Sequence, residues 1–400
     1  MKSLKQLYRI GVGPSSSHTM GPVKAVERFL SCCDGMEKYV VTLYGSLALT
    51  GRGHGTDVAI VKAFSPRKVE VVFDSKTECR HPNTMDLDGY EGAVRKCHMR
   101  AYSIGGGEII FDGERFVEGK EVYELNTFEQ IKDYCKQRGL RYWQYAIERE
   151  GEQIIDYMRV IWRVMSDSII DGLNADGILP GGLNVARRAK TLAQCNGRKE
   201  TPQSKEDRIV ASYAFAVGEQ NASGGVVVTA PTCGASGVLP AVFRFAAEQH
   251  GFDDEQICRA LLTAGLVGNV VKTNASISGA ECGCQAEIGT ACSMAAAGLA
   301  ELYSMSLDEI EYSAEVALEH HLGLTCDPVC GLVQIPCIER NAVAAMRSIN
   351  AVSLATFLAD SRKVSFDTVV HAMYETGRDL SKDYRETSIG GLAKLVGGKN

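Results

Sequence analysis

Long basic runs are missing from this sequence. Its densest cationic stretch, ARRAK (186–190), is too short and isolated to neutralise a row of phosphates, and the net charge is −6, so nucleic-acid binding is disfavoured. Long apolar runs are missing too. The N-terminal MKSLKQLYRIGVGPSSSHTMG carries positive charge but no continuous apolar stretch, and does not read as a secretory signal. The most apolar segments, such as MAAAGLAELYSM (294–305), are broken by polar residues well short of bilayer thickness. No membrane association is expected, and a cytoplasmic location is. Internal repeats and low-complexity tracts are also absent. With 45% hydrophobic and 23% charged residues over 400 positions, wholesale disorder is excluded and two globular domains can be filled.

Cysteine, by contrast, is plentiful. There are 14 in the chain, and six of them, Cys282, Cys284, Cys292, Cys326, Cys330 and Cys337, fall between ECGCQAEIGTACS (281–293) and LTCDPVCGLVQIPC (324–337). A reducing compartment argues against disulfides and leaves packing, metal ligation or catalysis. Several of these residues sit beside glycine or flank Pro328, and turns let thiolates converge on a metal. The spacings C-x-C and C-x₃-C fit neither a zinc knuckle nor an iron–sulfur pattern unambiguously. Cys292 lies in an alanine-rich helical stretch and reads as core. Spacing alone suggests a metal without naming it, and reduced thiols filling a core remain the alternative.

Hydrophobic periodicity divides the chain. AVERFL (25–30) has helical character, whereas YVVTLYGSLAL (39–49), VEVVFD (69–74) and EIIFDG (108–113) read as strands. A polar stretch over 111–126 marks the boundary. Beyond it, segments at 127–140, 153–170, 254–272, 291–303, 307–321 and 337–360 carry helical periodicity, the first opening on Thr127 as a cap. The expectation is an α+β chain: a small N-terminal α/β domain (1–120), then a larger, mainly α-helical domain (127–400).

Several long motifs also carry a resemblance. VGPSSSHTMGP (12–22), YGSLALTGRGHGTD (44–57), RHPNTM (80–85), YSIGGGE (102–108), LPGGLNVARRA (179–189) and TAPTCGASG (229–237) are similar to the iron–sulfur-dependent L-serine dehydratases (L-serine ammonia-lyases). So are NASISGAECGCQAEIGTACSMAAAG (274–298), LTCDPVCGLVQIPCIERNAVAA (324–345) and YETGRDLSKDYRETSIGGLA (374–393). The likeness runs almost end to end. It implies a small domain fused to a helical catalytic domain, a [4Fe–4S] cluster without pyridoxal phosphate, L-serine as substrate with pyruvate and ammonia as products, and a homodimer. Carried residue by residue, the family's cluster ligands fall on Cys284, Cys326 and Cys337, leaving one iron open. Cys282 and Cys330 are then spectators, and Cys233 and Cys292 core thiols.

Dehydration of serine must expel hydroxide and remove an unactivated α-proton. An open iron would act as Lewis acid on the hydroxyl, and a positioned base must take the proton. His18, His54 and His81 all lie in turn-rich stretches of the small domain. Each can also be an ordinary turn residue; with the resemblance, His54, oriented by Asp57, is expected as base or relay and His81 as reserve. The hydroxyls and amides of Ser15, Ser16, Ser17, His18 and Thr19, together with Asn83, are expected to hold substrate. Asn274, Ser276 and Ser278 are expected to line the same cavity, and Lys272 either pairs with the substrate carboxylate or lies on the surface. The active site would form between the two domains.

Two departures accompany the likeness. Some family members end in a cysteine that caps the open iron, and this sequence has none after Cys337. The small domain is also short, with about a dozen residues between GTD and VEVVFD. Three rival readings stand beside the main one: a cysteine desulfidase using the same cluster, a pyridoxal phosphate dehydratase using Lys272 and Gly105–Gly107, and an amino-acid sensor with structural zinc.

Overall fold

The computed structural model describes residues 1–114, 121–194 and 199–397. β1 (Ile10–Val12) lies apart from a five-stranded sheet made of β2 (Lys38–Tyr44), β3 (Val69–Asp74), β4 (Thr84–Glu91), β5 (Val94–Gly105) and β6 (Glu108–Phe111). The spatial order is β3-β2-β4-β5-β6, parallel between β2 and β3 and antiparallel elsewhere. Alternation along β2 turns Tyr39, Val41 and Leu43 inward, where they meet Phe29 and Phe64 from the helices Gly21–Cys32 and Thr56–Phe64. A parallel pair needs a crossover, and the chain between β2 and β3 supplies it as helix.

The remainder is an α-helical assembly, with one further short strand, β7 (Val226–Val228). Its central helix, Thr290–Leu302, is buried along its whole length, against Asp254–Asn274 on one side and Leu307–Glu319 on the other. Alanine and glycine make that approach possible: a Cβ on Gly298 would meet the Phe243 ring at 2.3 Å. Helix entries follow the expected chemistry, with Thr127 accepting from the Gln130 amide and capping boxes at Asp253/Gln256 and Ser306/Glu309. Among the described residues one helix, Cys337–Ser361, is long and apolar enough to cross a membrane by length and composition. Here it packs against the helices Pro202–Ala222, Thr290–Leu302 and Leu307–Glu319. Its buried Asn341 donates to the carbonyls of Gly234 and Cys337.

Three features depart from the sequence reading. Residues 45–49 continue no strand: Gly45, at φ +52°, turns the chain into the helix Gly45–Thr50, and its close approach to the Pro82 carbonyl leaves no room for a side chain. β4 and β5 were not anticipated, because the outward positions of β4 are the acids Asp86 and Asp88. Asp86 pairs with Arg100, and Asp88 with Arg95 and His98. The first dozen residues leave the sheet altogether. Leu4, Leu7 and Tyr8 are buried in the helical core, Tyr8 donates to the Leu261 carbonyl (2.9 Å), and β1 pairs antiparallel with β7. Burying Leu4 and Leu7 contributes roughly 1.5–3 kcal/mol each and ties the chain start to the helices.

The two parts meet where the turn at 50–53 presses on the turn at 330–331. A Cβ on Gly53 would lie 2.4 Å from the Cys330 carbonyl, and one on Gly331 3.1 Å from the Thr50 carbonyl. Gly53→Ala is therefore expected to cost about 1–3 kcal/mol of unfolding free energy through overpacking of backbone against backbone. Denaturant titration of wild type and variant checks this, and an unchanged midpoint contradicts it.

Candidate active site and metal centre

Three thiols from three different turns converge beneath that contact. Cys284 follows Gly283, which at φ +73° ends the short helix Gly279–Cys282 and redirects the chain into a π-helical turn, Gln285–Gly289. Gln285 is fully buried and fastens this turn: its side chain donates to the carbonyls of Cys282 (2.9 Å) and Met373 (3.1 Å) and accepts from the Gly323 amide (2.9 Å). Cys326 is held by its backbone. Its amide donates to Tyr384 (2.8 Å), and its carbonyl accepts from the Glu386 amide (2.8 Å). Cys337 opens the helix Cys337–Leu358.

The thiols do not behave alike. The Cys284 pKa is lowered to about 7, chiefly because the Cys326 thiol donates a hydrogen bond to its sulfur, with Arg340 assisting against the cost of burial. Cys326 is pushed well up by making that donation and by its own burial, and Cys337 is pushed up by burial. Arg340 closes one side of the cluster, donating to the Thr325 carbonyl (2.5 Å) and to Asp327 (3.1 Å).

Acids and histidines complete the lining, and the carboxylates of Glu287 and Glu386 lie within 4.8 Å of each other and of the Cys326 sulfur. Glu287 bonds to the Thr232 hydroxyl, and enclosure by protein, together with nearby Glu386, raises its pKa well above the carboxylate range. Glu386 reaches the cavity from the strap 384–392, at φ +56°, a conformation that costs a non-glycine residue about 1–2 kcal/mol. One of its oxygens lies 3.5 Å from His18 Nδ1 and 3.5 Å from His54 Nε2. Burial would raise its pKa, but the two histidines and the Ala280 amide outweigh that and hold it low.

His18 and His54 stack at 4.4 Å. His54 Nδ1 donates to the Thr50 carbonyl (3.0 Å), so in the neutral ring Nε2 carries the lone pair and faces Glu386. Ser46 donates to the Glu386 carbonyl (2.6 Å) and must accept from His18 Nε2 (3.1 Å), while Ser17 donates to His18 Nδ1 (2.9 Å). Sheet-domain loops thus deliver imidazoles to a cavity whose sulfurs come from the helices. Soft thiols beside a cation, with acids and a fixed imidazole in the same cavity, form a donor set suited to an iron–sulfur group.

Residues 89–393 match the family model of the serine dehydratase alpha chain, and residues 3–72 that of the serine dehydratase beta chain. The chain belongs to the serine dehydratase family. Both parts are fused in it. It is 40% identical to the L-serine dehydratase TdcG of Escherichia coli (strain K12), with 99% of each chain covered. It is also 40% identical to an L-serine dehydratase of Streptomyces coelicolor, over 98% of each, and 37% identical to one of Helicobacter pylori (strain J99), over 98% of this chain and 99% of the relative. The alignment to TdcG spans 454 positions against 400 residues here, so the relative carries segments that this serine dehydratase lacks.

Of the residues singled out from the sequence, Cys284, Cys326, Cys337, His54 and Ser15 line this cavity, and His18 stands directly behind His54. The hydroxyls of Ser17 and Thr19 are engaged within the protein. Ser17 holds His18, and Thr19 accepts from the Ser15 amide and donates to the His54 carbonyl (both 3.3 Å). Ser16 is buried and its carbonyl accepts from the Gly21 amide. His81 sits apart from the thiols: Nδ1 accepts from the Asn83 amide (3.1 Å) and Nε2 lies 3.4 Å from Glu281. Asn83 is fully buried and donates to the Ser103 carbonyl (3.2 Å), a bond within the sheet domain.

Four of the residues named from the sequence are engaged by other partners. Lys272 reaches neither the cavity nor the open surface, because it pairs with Glu108 at 3.0 Å. Asn274 ends its helix, donating to the carbonyls of Asn126 and Val270. Ser276 bonds to Glu281 and accepts from the Ser278 amide. Asp57 is bonded to the Val58 amide, and the carboxylate beside His54 is that of Glu386. Cys282 packs against Gly377, Cys330 is exposed, and Cys233 and Cys292 are buried. Glu287, Arg340 and Glu386 were missed although each lies inside a quoted motif. The available signal was an ionisable residue three positions after Cys284 or Cys337, or in the conspicuous YRETS.

The fully buried His18 yields a pH prediction. Burial depresses its pKa from 6.5 to about 4, against the pull of Glu386. The unfolded chain therefore binds more protons between these values, and stability falls as pH drops through that window. In His18→Asn, the loss of unfolding free energy between pH 7 and pH 5 should be smaller than in wild type by on the order of 2 kcal/mol. Equal losses in the two proteins contradict this.

Proposed function

We propose that this chain is an L-serine ammonia-lyase whose active site is the cavity between the Cys284, Cys326 and Cys337 thiols and the Glu386–His54 pair. The observation that carries the reading is this convergence, across the domain contact, of a soft-metal donor set with an imidazole whose acceptor nitrogen is fixed. Cys284, Cys326 and Cys337 would hold a [4Fe–4S] cluster, and no other thiol of the described chain joins them. When bound, that group supplies a Lewis-acidic iron that draws electron density from the serine hydroxyl.

The chain's own residues supply the rest. His54 Nε2 accepts the α-proton, and the imidazolium that results is met by the Glu386 carboxylate 3.5 Å away. Glu287, held protonated by its surroundings, stands ready to give a proton to the departing hydroxide, so that water leaves. Aminoacrylate released from the site tautomerises to the imine and hydrolyses to pyruvate and ammonia. The pyridoxal phosphate alternative loses its support, since Lys272 is committed to Glu108 and the Gly105–Gly107 turn packs against Ser278, Ile277 and Met20.

Protein purified without oxygen should contain roughly four irons and matching sulfide per chain and convert L-serine to pyruvate. Cys284→Ser, Cys326→Ser and Cys337→Ser should each lose iron and activity, while Cys282→Ser and Cys330→Ser keep both. Fully active protein without iron overturns the reading, and faster release of sulfide from L-cysteine than of pyruvate from L-serine replaces it with a cysteine desulfidase.

In His54→Ala the iron content should stay at the wild-type level while kcat drops roughly 10²–10⁴-fold. Near-normal turnover in that variant removes His54 from the proton transfer.

A further inference from the structure

Arg340 lies three residues beyond Cys337, on the same face of the helix Cys337–Leu358. Its guanidinium straddles Cys326: one arm donates to the carbonyl of Thr325 (2.5 Å) and the other to the carboxylate of Asp327 (3.1 Å). The two residues it holds flank Cys326 in sequence, and its positive charge acts on the sulfurs of Cys284, Cys326 and Cys337. The side chain is only 16% exposed. Asp327 is immobilised in turn by the Thr325 hydroxyl (3.0 Å) and the Leu392 amide (2.8 Å), so the fork is held from both sides.

A cube bound by three thiolates is an anion, and an anion removed from water needs a compensating charge. Glu287 and Glu386, whose carboxylates lie within 4.8 Å of the Cys326 sulfur, are acids and cannot supply it, and His54 is the proposed base. We propose that Arg340 is the electrostatic anchor of the cluster: it retains the cluster in the chain and raises its reduction potential through its charge, and it does not grip the substrate carboxylate. This rests on the cluster reading above. Nearby charge is a recognised means by which a protein tunes such a group, and an arginine fork spent on Thr325 and Asp327 is poorly placed to clamp a substrate as well.

The test compares wild type, Arg340→Met, Arg340→Lys and Asp327→Asn after anaerobic reconstitution with iron and sulfide, each first checked for wild-type helix content by circular dichroism. Cluster loss to an iron chelator is followed by absorbance, and the midpoint potential by redox titration. Arg340→Met should lose its cluster roughly 10–100-fold faster than wild type and show a more negative midpoint potential. Arg340→Lys should recover part of both, and Asp327→Asn, which loosens the fork without removing the charge, should fall between wild type and Arg340→Met. The KM for L-serine of the loaded fraction should be unchanged in Arg340→Lys. Wild-type retention and potential in Arg340→Met overturn the proposal, as does a raised KM with retention intact, which makes Arg340 a substrate clamp. If Arg340→Met fails to fold, Asp327→Asn and Arg340→Lys decide by the same readouts. A wild-type chain that takes up no iron defeats the cluster reading itself, an outcome separate from either of these.

Discussion

The backbone of Cys326 is the joint on which the site depends. Its amide and carbonyl bond to Tyr384 and Glu386, so a turn in mid-chain is stitched to a strap sixty residues further on. Two hydrogen bonds accomplish two things at once: they hold a thiol against its neighbours and bring a carboxylate into the same cavity. The left-handed backbone at Glu386 and Ser388 fits this picture, since such strain persists only where surrounding bonds over-determine it. Ser388 donates to the Pro328 carbonyl and the Leu392 amide to Asp327, which extends the stitching along the whole strap.

Around that joint, charge is arranged by burial and not by net composition. One thiol is eased toward its thiolate, its two neighbours resist ionisation, and of two nearby carboxylates one has its pKa raised and the other has it lowered. Environments that push like groups apart in this way are what acid–base chemistry at neutral pH requires. The sheet domain matters because its loops bring the imidazoles. Its hydroxyl-rich turn, which composition marks as a ligand loop, spends its hydrogen bonds on fixing His18 and His54.

Much of this was legible in the sequence, and for physical reasons. Helices such as Asp254–Asn274 and Leu307–Glu319 announce themselves by period and by capping residues, and the clustered cysteines stand out by number. What was hidden depends on contacts between distant residues. Glu386 is an ordinary glutamate in a polar stretch until the strap pairs with Cys326. The assignment of Leu4, Leu7 and Tyr8 to the helical core follows from β1 pairing with β7, more than 200 positions away. Gly45 ended a strand that apolar character alone would have continued. Lys272, which a sequence reader offers to a substrate carboxylate, found an internal one in Glu108.

The central claim is that Cys284, Cys326 and Cys337 hold a cluster with one substrate-accessible iron facing His54 and Glu386. Mössbauer spectroscopy of the anaerobic, iron-loaded chain with and without L-serine addresses it directly. The account predicts that serine alters the signal of one iron in four and leaves the other three unchanged. A spectrum indifferent to serine, in protein that turns serine over, would contradict it.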